Sequence, residues 1–140
     1  MHLTTYLNYP GTCEAAFRFY EEHLGGQVTS LMKHGENPAP GRAMPDGWGD
    51  KVLHARIELG GNELLGADVP SAEPMRSAYL TLSLESDAEA DRVYDLLAEG
   101  GQIFMAKQET FFASRFAMLR DRFGTSWMLM CQRSATAAKK

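Results

Sequence analysis

The segment Val52-Leu53-His54-Ala55-Arg56-Ile57-Glu58-Leu59 carries the most chemically suggestive pattern in the chain. Leu53, Ala55, Ile57 and Leu59 alternate with Val52, His54, Arg56 and Glu58. A strand here would lay an apolar face under a helix and show an imidazole, a guanidinium and a carboxylate on the other. Glu63 follows a Gly60-Gly61-Asn62 turn, so its carboxylate could approach His54 from the adjacent strand. A histidine with a carboxylate neighbour can serve as a general base near neutral pH. His54 and Glu63 are therefore the candidate catalytic pair, while a solvated or interface polar face would show the same alternation.

The other chemistry-bearing residues offer less. His2 is terminal, His34 lies among prolines and glycines, and His23 sits late in a helix, where a cation complements the helix dipole. Cys13 and Cys131 form no CxxC pair and are too few for a disulfide framework. They read as reduced thiols of a cytosolic protein, with Cys13 open to activation because it stands near a helix start.

Composition narrows the class. The 140 residues suit one domain with a single core. A net charge of −4 and a pI near 5.5 argue against a nucleic-acid footprint, which needs a basic face. No stretch reaches the roughly 20 apolar residues of a membrane span, and the N-terminus lacks the features of a signal peptide.

The elements that must hold these residues come in two copies. Glu14-Ala15 through Phe19 to Gly25-Gly26-Gln27 aligns with Glu89-Ala90 through Tyr94 to Gly100-Gly101-Gln102 at an offset of 75 residues, and Leu7 then falls on Leu82. Each helix, about Cys13 to Leu24 and about Ala88 to Glu99, has apolar residues at helical spacing. Thr12 is a candidate N-cap for the first and Gly25 a candidate C′ residue. Strands are expected at 79–84 before the second helix, and at 27–32, 51–59, 63–68, 102–106, 115–120 and 126–132 after the two glycine pairs. The expected fold is α+β, with two tandem βαβββ modules (1–69 and 78–133), a linker at 70–77 and a flexible tail at 134–140. The stretch 33–49 is long for a connection, and its Met44 and Trp48 suggest a lid or a dimer arm.

This organisation resembles the vicinal oxygen chelate superfamily (glyoxalase I, bleomycin-resistance proteins, extradiol dioxygenases), and its PhnB-like branch most closely. The resemblance rests on Tyr6-Leu7 with Cys13-Glu14-Ala15 and Phe19-Tyr20, on Asp50 through Ala55, on Gly60-Gly61 with Asp68, on Glu109 through Phe112, and on Asp121 through Trp127. It implies curved mixed sheets around a pocket, a small-molecule ligand, and a homodimer. Some members carry the label of demethylubiquinone methyltransferases, but no glycine-rich nucleotide loop opens a helix here.

The resemblance also implies one divalent metal held from the first and last strand of each module. The matching positions here are Thr4 (or Thr5), Leu65, Tyr79 and Met128, which are poor ligands for a hard dication. No metal or other cofactor is expected at those positions, which leaves room only for a relocated divalent ion. The implied pocket would gather Tyr6, Asn8, His54, Arg56, Tyr79, Thr110, Phe111, Arg115 and Met128. Arg115 could clamp a carboxylate or phosphate, or be a surface charge. Two functions follow as expectations. The first is a small-molecule-binding protein without the usual metal. The second is a lyase or isomerase on a small carbonyl compound, using His54 and Glu63 or a relocated metal.

Overall fold

Hydrophobic alternation and the two glycine-closed helices appear where the sequence places them in the computed structural model, which describes residues 1–37 and 44–133. The chain divides into two units, the first Met1–Glu73 and the second beginning at Pro74. In the first unit, β1 (Thr5–Tyr9), α1 (Cys13–Leu24), β2 (Gln27–Lys33), β3 (Val52–Leu59) and β4 (Asn62–Asp68) form one helix and a four-stranded sheet. The order is β1-β4-β3-β2, with β1 parallel to β4 and the other pairs antiparallel. The second unit repeats this with β5 (Leu80–Ser83), α2 (Asp87–Ala98), β6 (Gln102–Gln108), β7 (Ala113–Arg120) and β8 (Ser126–Gln132), ordered β5-β8-β7-β6. Each unit is thus βαβββ, and the fold class is α+β.

Each helix covers one face of its own sheet. Phe17 and Tyr20 of α1 are buried against a sheet face that includes Leu7, Ala55, Ile57 and Leu64. Val93 and Leu97 of α2 are buried in a unit whose sheet supplies Ala117, Leu119, Trp127 and Leu129. Period-two alternation then turns the intervening residues of each strand to the opposite face, which no helix of the same unit covers.

The helix ends are closed differently from the sequence expectation. Gly25 ends α1 in the left-handed region (φ 75°), as expected. Thr12 makes no side-chain cap. The Cys13 amide instead donates to Asp68 of β4 at 2.9 Å, so the first turn is tied to a residue 55 positions away. In α2 the cap is local, Ser86 Oγ accepting from the Glu89 amide at 3.0 Å.

The 33–49 connection is pinned at its base. Short 3₁₀ turns form at His34–Glu36 and Trp48–Asp50, the His34 amide donates to the Lys51 carbonyl at 2.8 Å, and His34 Nε2 donates to the Asp68 carbonyl at 3.1 Å. Of the 33–49 stretch expected to be a lid or dimer arm, 38–43 lie outside the described residues, as does the expected loose tail at 134–140. Among the described residues, no helix is long and apolar enough to cross a membrane.

Candidate functional site

Strand register sets out the uncovered face of the first sheet as a grid. Tyr6 lies opposite Leu65, Leu65 opposite Arg56, and Arg56 opposite Ser30, making one row across four strands. On one side of that row Asn8 pairs with Ala67 and His54 with Met32. On the other, Glu63 faces Glu58, and Glu58 faces Gln27. Tyr6 is 48% exposed and leans over β4, bringing its hydroxyl 3.3 Å from His54 Nδ1. Ala67 is only 6% exposed although its strand position is on this face. Partial burial of the Tyr6 phenol raises its pKa above the ordinary value near 10, which keeps the O–H in place at neutral pH.

Glu63 does not meet His54. The tight turn at Gly60-Gly61 makes Glu58 and Glu63 partners, and therefore sets His54 level with Ala67, four residues along β4 from Glu63. At about 3.3 Å per residue that is roughly 13 Å. The Glu63 carboxylate faces Arg56 instead, at 3.7 Å. The expected His54–Glu63 pair is corrected to Tyr6–His54, with Arg56–Glu63 beside it. A cleft of about 390 Å³ lies at this end of the sheet, lined by Gln27, Glu58, Asn62, Glu63 and the turn glycines.

The equivalent face of the second sheet carries different chemistry. Thr81 pairs with Met128, Met128 with Met118, and Met118 with Met105. The next row is Ser83, Met130, Phe116 and Gln108. Position for position, Arg56 is replaced by Met118 and His54 by Phe116, so a thioether and a phenyl ring stand where the first unit has a guanidinium and an imidazole. One end of this face is occupied by the chain itself. The Met75 carbonyl accepts from Arg120 Nη2 at 2.8 Å and from Ser126 Oγ at 2.9 Å. Tyr79, just ahead of β5, and Phe104 of β6 meet edge to face at 6.3 Å.

Several expected pocket residues take other roles. Arg115 is on the helix side, where Nε donates to Asp91 at 3.0 Å and Nη1 lies 3.5 Å from Asp87, both on α2. Regular alternation puts it there, because Arg115 lies two and four residues from Ala117 and Leu119, which are buried on the helix side, so the expected pocket position was on the wrong face. Thr110 is used locally, its Oγ1 accepting from the Ala113 amide and its carbonyl from Arg133. Phe111 is 89% exposed and lies edge-on to Phe112, which packs on Phe116. Asn8 and Met128 do lie on the uncovered faces of their own sheets.

The family-implied metal can be tested on these positions. Register places Tyr6, rather than Thr4 or Thr5, beside Leu65, and Thr81, rather than Tyr79, beside Met128. A phenol, an aliphatic group, an alcohol and a thioether do not suit a hard dication. Among the described residues, no three His, Cys, Asp or Glu side chains cluster in a way that could hold an ion. Cys13 is not an activated thiol either. It is fully buried, and burial pushes its thiol far above the ordinary range, with Asp68 and Glu14 adding to the effect.

Of the features that carry chemistry here, sequence reasoning found Tyr6, His54 and Arg56 but not who pairs with whom. It passed over Met118 and Phe116. Their alternation with Ala117 and Leu119 was the available signal.

Comparison with known proteins agrees with this geometry. Residues 1–130 match the family described as 3-demethylubiquinone-9 3-methyltransferase. The protein YjdN of Escherichia coli K12 is 32% identical over 92% of this chain and 94% of its own length. The structure of PA1353 from Pseudomonas aeruginosa is 36% identical, covers 94% of this chain and 98% of its own, and superposes with a TM-score of 0.82. A Bacillus cereus structure titled a putative 3-demethylubiquinone-9 3-methyltransferase, PhnB protein, is 27% identical over 94% of this chain and 99% of its own, with a TM-score of 0.78. The chain belongs to the PhnB-like, 3-demethylubiquinone-9 3-methyltransferase family, and its fold is that of the glyoxalase, bleomycin-resistance and dioxygenase group.

Proposed function

We propose that this chain is a small-molecule-binding protein of the PhnB-like family that uses neither the superfamily's metal site nor a methyl donor. The observation that carries the reading is the uncovered face of the first sheet, where Tyr6, His54 and Arg56 stand together, each at least partly exposed. Few polar groups at fixed positions beside apolar surface are what a small-ligand site requires. Leu65 and Met32 on the same face of the first sheet supply the apolar surface beside them. Methyl transfer, which the family description names, is not supported by a pair of four-stranded mixed sheets without a glycine-rich nucleotide loop. Two cysteines without a disulfide fit a cytosolic setting. The exposed Ile103, Phe104 and Met105 of edge strand β6 fit the homodimer that the family resemblance implies.

The test is a thermal-shift screen of purified protein against a metabolite library, followed by amide chemical-shift mapping of each hit. Expected are hits that move Tyr6, Leu65, Arg56 and their neighbours. Hits that move only the solvent faces of α1 and α2 would reject the site. Metal analysis before and after a chelator belongs beside it, because a stoichiometric divalent ion that survives dialysis overturns the reading of the donor set.

A second reading, a lyase or isomerase on a small carbonyl compound, is favoured by the Tyr6–His54 contact at 3.3 Å. Its acid–base pair is then His54 with Tyr6 in place of Glu63.

A further inference from the structure

We propose that Tyr6 and His54 form a two-site proton relay that tautomerises a small α-keto or α-hydroxy carbonyl compound, with Arg56 holding the substrate's carboxylate when it has one. The inference rests on the reading of the first sheet's uncovered face as a ligand site, and it names the substrate class and the reaction.

The argument begins with a contact that either partner can donate. In one tautomer the Tyr6 O–H donates to His54 Nδ1, and Nε2 carries the ring proton. In the other, Nδ1–H donates to the Tyr6 oxygen, which frees the Nε2 lone pair and turns the phenol O–H outward. The 3.3 Å separation accommodates both, because the hydroxyl rotates and the heavy atoms need not move. The pair therefore offers a base and an acid at once in the second state.

The proton balance closes without any other reactant. Nε2 takes the proton from the carbon next to the carbonyl. The C–H pair becomes the C=C bond, and the carbonyl π pair moves onto oxygen. That oxygen takes the Tyr6 hydroxyl proton, and the Tyr6 oxygen takes the proton of Nδ1. The product is an enol, and the dyad is left in its first tautomer. In the return step Nε2 gives its proton to carbon, a substrate enol hydroxyl gives its proton to the Tyr6 oxygen as its C=O re-forms, and the Tyr6 proton passes back to Nδ1. Protonation of the same carbon gives exchange or epimerisation. In an enediol, protonation of the neighbouring carbon with loss of the other hydroxyl's proton gives a carbonyl shift. Nothing is oxidised or reduced.

Placement supports the assignment. Arg56 is two residues from His54 on the same strand face, about 7 Å along the sheet, and its side chain is 50% exposed. Among the described residues its one ion pair, to Glu63 at 3.7 Å, leaves N–H groups for a carboxylate. Glu58 and Glu63 lie on the far side of Arg56 from His54, which directs an acidic substrate toward the dyad. The second unit has Thr81 and Phe116 at the equivalents of Tyr6 and His54, so the relay occurs in one unit only.

The experiment uses the full chain in D₂O with phenylpyruvate and with dihydroxyacetone. Proton NMR follows loss of the α-proton signal, and ligand line broadening reports binding in the same samples. Expected is exchange well above buffer for at least one compound, falling about a hundredfold in His54→Ala. Tyr6→Phe should lower kcat while leaving KM nearly unchanged. The ¹⁵N shifts of His54 should also move toward a single tautomer in Tyr6→Phe without substrate, a readout that a folding defect elsewhere would not produce. Binding without exchange rejects the relay and leaves the binding reading intact. Neither binding nor exchange with either compound rejects both for this class. Unchanged His54 shifts in Tyr6→Phe reject the dyad outright.

Discussion

The Asp68 carboxylate receives the Cys13 amide at 2.9 Å on one oxygen and the Val52 amide at 2.8 Å on the other, joining the start of α1 to the start of β3. Gly11 adds a third amide at 3.0 Å. Asp68 is 2% exposed, so these three bonds, and not water, compensate the burial of its oxygens. The side chain also sits under the strand that carries His54. Its role is to fix the frame on which the candidate site stands.

Replacing Asp68 with Ala should therefore leave buried amides unpaired and destabilise the protein by about 3–5 kcal/mol, given roughly 1–3 kcal/mol for each stranded buried group. Urea denaturation followed by Trp fluorescence measures it. A loss under 1 kcal/mol would show that the three amides find other partners.

A second position tests how closely α1 lies on its sheet. A methyl group built on Gly66 would meet Phe17 Cζ at 2.7 Å and the Leu7 carbonyl at 3.2 Å. Phe17 is fully buried and cannot swing away. Gly66→Ala should cost about 1–3 kcal/mol through overpacking. The neighbouring turn is the control, since nothing lies within 4 Å of a methyl at Gly60 and only its positive φ opposes substitution. If Gly60→Ala proves the more destabilising of the two, the overpacking account of Gly66 fails.

The duplication made most of this fold legible. An offset of 75 residues places α2 on α1 and β6 on β2. It then falls to 62 between Arg56 and Met118, because the β2–β3 connection is much longer than the one between β6 and β7. The ladder irregularity survives the duplication, lying at Thr29 in β2 and at Phe104 in β6. The face of Arg115 was legible from its alternation with Phe116 and Met118; what alternation cannot show is a one-residue shift such as those at Thr29 and Phe104, because the shift breaks the only signal. Nor does alternation reveal cross-strand partners. Tyr6, His54 and Glu63 all belong to the uncovered face, but only the register of the Gly60-Gly61 turn decides that His54 meets Tyr6. Asp68 was visible as the end of a strand and as one of the residues of the family resemblance, but not as a cap, because a cap supplied from 55 residues away leaves no local pattern.

The cysteines should be silent in the native state. Cys13 is fully buried with its thiol pushed up, and Cys131 is 5% exposed. Labelling with a thiol-specific reagent at pH 8 should proceed no faster than global unfolding, and both sites should react at once in denaturant. Rapid modification of Cys13 in native protein would contradict its burial.

Acid stability provides the last prediction, and it turns on Arg115. Asp91 is held below the ordinary carboxylate range first by its hydrogen bond from Lys107 and then by Arg115, and Asp87 first by Ser114 Oγ. A carboxylate whose folded pKa is depressed stabilises the fold above its unfolded value, near 3.9 for aspartate. That stabilisation is lost as pH falls through the lower folded value. Melting temperature should thus be flat from pH 7 to about 5 and fall below about 4 as both carboxylates take up protons. Arg115→Gln removes one of the groups that hold the protons off, so the variant should start lower at pH 7 and fall less steeply in acid. Both aspartates are at the surface, so added salt should shrink the difference between the two curves. A variant curve parallel to the wild type at every pH would mean that Arg115 contributes packing alone, and the α2–β7 ion pairs would lose their part in the acid response.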